Sequence, residues 1–276
     1  ITMSALGSFK FSEFGTRRRF SYDVQDKVIS VLANKGWNVC NGTSNVHFAM
    51  KYNMKVMGTH PHEWFMFHAA QYGYKAANYM ALENWVNVYD GDLGIALSDT
   101  YTSDVFFKSF SLKQAKLFDG VRQDSGDERE FTDKTIEFYK SKGIDYHNKT
   151  IVFSNALTFP KAVEILKYCN TVGIKCSFGI GTNLTCDVYA PDGTKYDSEN
   201  IVMKMSRCRM NINQPWYLTI KISDDLGKHM GDNQEFNHAC YELNIPISFN
   251  HPDPVGESGD DGMVIVSNGK KMINSN

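Results

Sequence analysis

Along most of this chain, short apolar runs alternate with longer stretches of helical periodicity. The runs lie at 10–13, 37–40, 55–57, 94–97, 117–121, 150–153, 176–178 and 201–205, and each predicts a strand. Helical faces lie between them. Val24, Val28, Val31 and Leu32 share one face, with Gly36 as a stop. Phe131, Thr135, Phe138 and Tyr139 repeat the spacing and end at Gly143. Pro160 opens a third helix, Ala162, Leu166 and Cys169 form its inner stripe, and Gly173 closes it. Residues 61–88 make the longest helical segment. Strand–helix units this close together imply right-handed crossovers and a parallel sheet. Their number predicts an α/β fold closed into a barrel rather than an open doubly wound sheet. Residues 212–276 break the pattern. Positions 217–222 alternate like a strand, and 263–273 read as a hairpin around Ser267-Asn268-Gly269. The expected division is therefore a barrel domain over 1–211 and a C-terminal extension over 212–276.

Composition narrows the function classes. A net charge of −2 argues against a general nucleic-acid or anionic-membrane binder. No apolar run approaches a membrane span, and residues 1–30 lack the apolar core of a signal peptide. Cysteines 40, 169, 176, 186, 208 and 240 have no C-x-x-C spacing, which suits reduced thiols of the cytoplasm. The chain starts at Ile1 rather than methionine, as a fragment or a chain without its leader would.

The turns at the ends of the apolar runs carry the chemistry. Phe14-Gly15-Thr16-Arg17-Arg18-Arg19 comes after the first, Gly42-Thr43-Ser44-Asn45 after the second, and Gly58-Thr59-His60-Pro61-His62-Glu63 after the third. Ser98-Asp99-Thr100, Arg122-Gln123-Asp124-Ser125-Gly126-Asp127, Ser154-Asn155 and Gly179-Ile180-Gly181-Thr182-Asn183 end the next four. In a parallel barrel such turns collect at the C-terminal mouth, where active sites lie. Each also has a plainer reading. The Gly179–Gly181 pair with Thr182 offers N–H groups and a hydroxyl to a phosphate, although glycine pairs mostly make turns. Arg17-Arg18-Arg19 is either a solvated edge with one ion pair or a guanidinium grip on an anion. Asp124 and Asp127 suit ribose hydroxyls or a Mg²⁺ carrying a diphosphate, and Asp127 equally suits an N-cap. Asp99 is the same kind of ligand, or a cap for a helix starting near Thr100. Trp64, Phe65, Phe67 and Tyr72 read as helix packing.

Two chemistries compete for the histidines. His60-Pro61-His62 after a barrel strand is the pattern of a zinc site, and hence of a metal-dependent hydrolase. That reading requires further histidines after later strands. His47 and His68 instead fall on predicted helices, and His147, His229, His238 and His251 in late loops or the tail. The alternative is a phosphate site: free N–H groups at a strand-to-helix corner beside a nucleophilic imidazole.

Taken together, these segments resemble the nicotinate phosphoribosyltransferases, type II phosphoribosyltransferases with an irregular α/β barrel. The resemblance also rests on Phe11-Ser12-Glu13, Asn200-Ile201-Val202-Met203-Lys204 and Lys221-Ile222-Ser223-Asp224-Asp225, and runs from about residue 10 to 232. It implies ATP-dependent, ligase-class synthesis of nicotinate mononucleotide and diphosphate from nicotinate and phosphoribosyl diphosphate, a step of NAD biosynthesis. Mg²⁺ is the implied cofactor and ATP a co-substrate. By the same resemblance, His62 is expected to be the histidine that ATP phosphorylates, with Glu63 orienting it. Arg17 and Ser44 meet the base. Arg122 and Asp124 position the sugar and its diphosphate, with Asp99 and Lys204 at the same mouth. Gly179, Gly181 and Thr182 cradle the 5′-phosphate. The resemblance further implies a cytoplasmic homodimer, a chain short of most of the family's N-terminal region, and a tail beyond about 240, with an acidic stretch at 257–261, that matches nothing in it. Nicotinamide phosphoribosyltransferase is the rival within the same fold.

Overall fold

The computed structural model describes residues 9–35, 39–199, 201–225 and 229–246, together with the backbone of 264–267 and 270–273. Gly36, residues 37–38, His251 and the 257–261 stretch lie outside the described residues. The strands are β1 (Phe11–Glu13), β2 (Cys40–Thr43), β3 (Ile95–Leu97), β4 (Gly120–Gln123), β5 (Thr150–Phe153), β6 (Lys175–Ile180), β7 (Arg207–Cys208), β8 (Tyr217–Leu218), β9 (Val264–Ser267) and β10 (Lys270–Ile273). The helices are α1 (Tyr22–Lys35), α2 (Val46–Tyr52), α3 (His62–Tyr72), α4 (Tyr74–Tyr89), α5 (Ser103–Ser109), α6 (Leu112–Leu117), α7 (Glu128–Ser141), α8 (Phe159–Val172), α9 (Thr182–Thr185) and α10 (Asn233–Leu243). The protein is α/β, and among the described residues no helix is long and apolar enough to cross a membrane. The chain divides into two compact units, Ile1–Thr59 with Asp119–Asn200, and His60–Phe118 with Ile201–Asn276. The units cut across the expected 211/212 boundary because α10 packs on α4.

In the first unit the strands run in parallel in the order β2-β1-β6-β5-β4. Phe11 and Phe153 both register against Phe178, so three buried phenylalanines cross three strands in one row. Phe9 stacks on Phe178 at 5.2 Å. Burying each ring contributes about 1.5–3 kcal/mol, and cross-strand aromatic contact holds the register. The predicted inner stripes of α7 and α8 are buried as expected. Asp127 caps α7 by accepting from Arg129 N and Glu130 N, and Gly173 ends α8 at φ 84°. The first helix differs. α1 turns Gln25 and Ile29 inward, and Val31 is 51% exposed.

Three predicted strands also shift. The 55–57 run supplies one parallel bridge, in which Thr43 N donates to Lys55 O and Met57 N to Thr43 O. The 117–121 run divides because a capping box between Ser111 and Gln114 starts a helix that continues to Leu117. β4 then begins at Gly120, where a Cβ would meet Thr150 O at 1.8 Å, closer than any side chain tolerates. Residues 201–205 form no strand, and β7 comes after them and pairs with β8 antiparallel.

In the second unit the long 61–88 segment breaks into α3 and α4 at Gly73, whose φ of 80° favours glycine. His60 is fully buried, 4.1 Å from the Trp85 ring, and its Nδ1 is 3.0 Å from Ile95 O. Phe65 is buried, Trp64 Nε1 donates to Ala81 O, and Tyr72, 40% exposed, stacks its ring on His68 at 5.8 Å. His238 lies on α10, not in a loop. β9 and β10 pair antiparallel, as expected of the hairpin, and its turn at 268–269 lies outside the described residues.

His68 gives this unit a pH dependence. Burial holds its pKa below the ordinary imidazole value, with Nδ1 2.6 Å from Trp64 O and Nε2 2.9 Å from Asn84 Nδ2. The unfolded chain therefore binds this proton more readily than the folded one. The stabilisation is present above about pH 6.5 and is lost as pH falls from there through the lowered folded value. Urea midpoints of wild type and His68→Asn at pH 7.5 and 5.5 check this. The wild-type midpoint is expected to fall further on acidification, and equal falls would contradict it.

Candidate functional site

Polar assemblies lie at the strand ends of both units. In the first, Glu13 ends β1 and is fully buried. Its Oε1 accepts from Gly15 N at 2.5 Å and Gln25 Nε2 at 3.1 Å, and its Oε2 accepts from Thr43 Oγ1 at 2.5 Å. Gln25 Nε2 also donates to Thr16 Oγ1 at 2.8 Å, and Arg19 Nη1 donates to Gln25 Oε1 at 2.9 Å. Ser44 N donates to Glu13 O, and Asn45 caps α2 through Phe48 N. One carboxylate thus ties the turn after β1 to the turn after β2. A buried charge is tolerated only with such partners.

The glycines of these turns permit close packing. A Cβ at Gly15 would meet Thr185 Oγ1 at 2.2 Å, and one at Gly179 would meet the Phe14 ring at 2.5 Å. Gly181 lies against Phe14 O and precedes the single turn of α9, which holds a half-buried Thr182.

Across the same unit, the Arg122 guanidinium at the end of β4 is satisfied on three sides. Nε donates to Ser154 Oγ, Nη1 to Thr59 Oγ1 and Nη2 to Asp124 Oδ1, each at 2.8 Å. Ser154 Oγ is also 2.6 Å from Asp124 Oδ1, and the guanidinium lies over the Phe14 ring at 5.9 Å. The structure therefore pairs Arg122 with Asp124, two residues expected to act together. Arg17 and Ser44 are solvent-exposed.

In the second unit His62 is the first residue of α3 and is buried. Its Nδ1 is 3.1 Å from Thr100 Oγ1, and its Nε2 is 3.8 Å from Asp99 Oδ1. Lys221 Nζ lies 3.8 Å from Asp99 Oδ2. At these distances neither contact with Asp99 is a hydrogen bond; that of Lys221 is an ion pair, and that of His62 becomes one only when the ring carries a positive charge. Glu63 pairs with Lys204 Nζ at 3.1 Å, and Thr100 is a hydrogen-bond partner of the imidazole. This changes the role expected of Glu63, because its carboxylate positions a lysine. The helix that starts after Thr100, α5, is capped by Thr102 rather than by Asp99. Asp224 instead receives Ser103 N and Ser103 Oγ, each at 2.8 Å, and Ile222 N donates to Thr100 O. These bonds hold the segment that carries Lys221 beside Asp99.

Glu13, Gln25, Thr59, Ser154, Thr100, Lys221 and Asp224 were not among the expected site residues. Thr59, Thr100 and Ser154 lie in the strand-end turns already singled out, and two of the others had a signal of their own. Glu13 closes an apolar strand run, and Lys221 sits between Ile220 and Ile222. A charge among apolar positions needs a partner.

The model of the nicotinate phosphoribosyltransferase (NAPRTase) family matches residues 9–247, so the match continues past residue 232 and through α10. A nicotinate phosphoribosyltransferase of Chromohalobacter salexigens is 52% identical over 223 residues, 81% of this chain and 55% of the relative. One of Desulforapulum autotrophicum is 45% identical over 236 residues, covering 86% and 59%. This chain therefore spans little more than half the length of these relatives. The crystal structure of a nicotinate phosphoribosyltransferase from Porphyromonas gingivalis superposes with a TM-score of 0.83 at 48% identity, covering 87% of this chain and 61% of that one.

The Glu13 network has a measurable consequence. Glu13→Ala leaves the Gly15 N–H and the Thr43 hydroxyl without their acceptor and takes one of two acceptors from Gln25. It is expected to lower unfolding free energy by about 3 kcal/mol or more. Urea denaturation checks this, and a loss below about 1 kcal/mol would contradict the network's role.

Proposed function

This chain belongs to the nicotinate phosphoribosyltransferase family, and we propose that it serves the joining of nicotinate to phosphoribosyl diphosphate, coupled to ATP hydrolysis through a phosphohistidine. The observation that carries the proposal is His62. It is a buried imidazole at a helix start, oriented at one nitrogen by Thr100 and facing Asp99 at the other. Such a ring is a nucleophile held in one rotamer. An imidazole nitrogen attacks the γ-phosphorus of ATP, the N–P bond forms as the bridging P–O bond breaks, and ADP leaves with the electron pair. Asp99 stabilises the positive charge that the ring acquires.

Glycosyl transfer needs no covalent bond between enzyme and sugar. Departure of diphosphate from C1 leaves oxocarbenium character, which the pyridine nitrogen of nicotinate captures. The protein's share is positioning and charge. Arg122 and Asp124 hold the sugar and its diphosphate, a role that their mutual 2.8 Å contact supports. Lys204 adds a cation, set in place by Glu63. Gly179, Gly181 and Thr182 receive the 5′-phosphate, and Arg17 with Ser44 meets the base.

Mg²⁺ fits the donor chemistry. Asp99 and Asp124 are both carboxylates, and Mg²⁺ takes one or two such oxygens beside substrate phosphates, so either residue would hold it. When bound it would neutralise phosphate charge. The free cysteines support a cytoplasmic setting, and the family resemblance supports a homodimer.

The test is incubation with γ-labelled ATP and Mg²⁺. Acid-labile, base-stable label is expected on the peptide containing His62, and none in His62→Asn. Label retained by His62→Asn would overturn the phosphohistidine.

A further inference from the structure

The arginine run of the first turn divides into three environments. Arg17 is exposed, and Arg19 is bound to Gln25. Arg18 is half-buried, its Nε is shut off from solvent, and among the described residues no hydrogen bond or ion pair reaches its guanidinium. A guanidinium cannot shed its charge, so burying one without an acceptor is costly. Natural proteins retain such a cost mainly where it serves a ligand.

The surroundings say which ligand. Burial lowers the Arg18 pKa, and the neighbouring Arg17 charge lowers it further. The carboxylate whose field reaches Arg18 is that of Asp124, already engaged by Arg122 and Ser154. Local positive charge therefore exceeds what the fold neutralises. The backbone beneath is fixed, because Arg18 N donates to Gly15 O and Gly15 N donates to Glu13. A planar fork on a rigid turn suits bidentate binding of an oxyanion.

We propose that Arg18 is an oxyanion-binding residue, its half-buried and unpartnered guanidinium receiving a carboxylate or phosphate group of a substrate. The assignment rests on the proposed nicotinate phosphoribosyltransferase function for the identity of the ligand. Nicotinate, phosphoribosyl diphosphate and inorganic diphosphate are the probes, titrated calorimetrically into the wild-type chain, Arg18→Met and Arg18→Lys. Arg18→Met is expected to weaken at least one ligand by about ten- to a hundredfold. Arg18→Lys should recover part of that loss. Weakened nicotinate identifies a carboxylate contact, and weakened phosphoribosyl diphosphate or diphosphate a phosphate contact.

A second readout separates binding from packing. Removing an unpartnered buried charge should leave the melting temperature of Arg18→Met unchanged or raised. Unchanged affinities for all three probes, or a melting temperature that falls with the affinity, would overturn the assignment. A chain that binds diphosphate through Arg18 but neither nicotinate nor phosphoribosyl diphosphate keeps the assignment and sinks the proposed function. Tight binding of both substrates by Arg18→Met does the reverse.

Discussion

The buried carboxylate of Glu13 is the interaction on which the polar half of the first unit depends. It stands at the end of β1, where the strand's apolar environment gives way to turns, and it accepts from three donors on three segments. Without it, the N–H of Gly15 and the hydroxyl of Thr43 would be buried with no acceptor, and the inward-facing Gln25 of α1 would lose one of its partners. The arrangement converts a desolvation penalty into a geometric constraint. The charge is tolerated only when both turns are in place, so both turns are in place whenever the chain is folded.

The same logic recurs elsewhere. Arg122 is held by Ser154, Thr59 and Asp124, so its charge is committed in direction before any ligand arrives. In the second unit the clamp from Ser103 to Asp224 fixes the segment from which Lys221 reaches Asp99, and Asp99 in turn faces His62. In each case a charged group is oriented by hydrogen-bonding or ion-pairing neighbours. Preorganisation of this kind is required for transfer through a highly charged transition state.

Much of this could be read from the sequence, and the failures have physical causes. The strand-end turns were visible because Gly, Asp, Ser and Arg cluster after apolar runs, and β5 begins and ends where its run does. The inner stripes of α7 and α8 followed from their period. α1 defeated the same reasoning because a polar side chain, Gln25, is buried by its bond to Glu13, and apolar periodicity cannot see a hydrogen-bond network. The 55–57 run defeated it because three extended residues make a bridge rather than a strand when only one finds a partner. The family resemblance gave Glu63 the orienting of His62, but adjacent helical residues face different directions, and its carboxylate meets Lys204.

If the Glu13 carboxylate locks the two turns, their backbones should open only with the unit as a whole. Amide hydrogen exchange of Gly15 and Ser44 measures this most directly. Both amides are expected to exchange as slowly as those of β1 and β6. Exchange at the rate of exposed loops, while the strands stay protected, would contradict the lock.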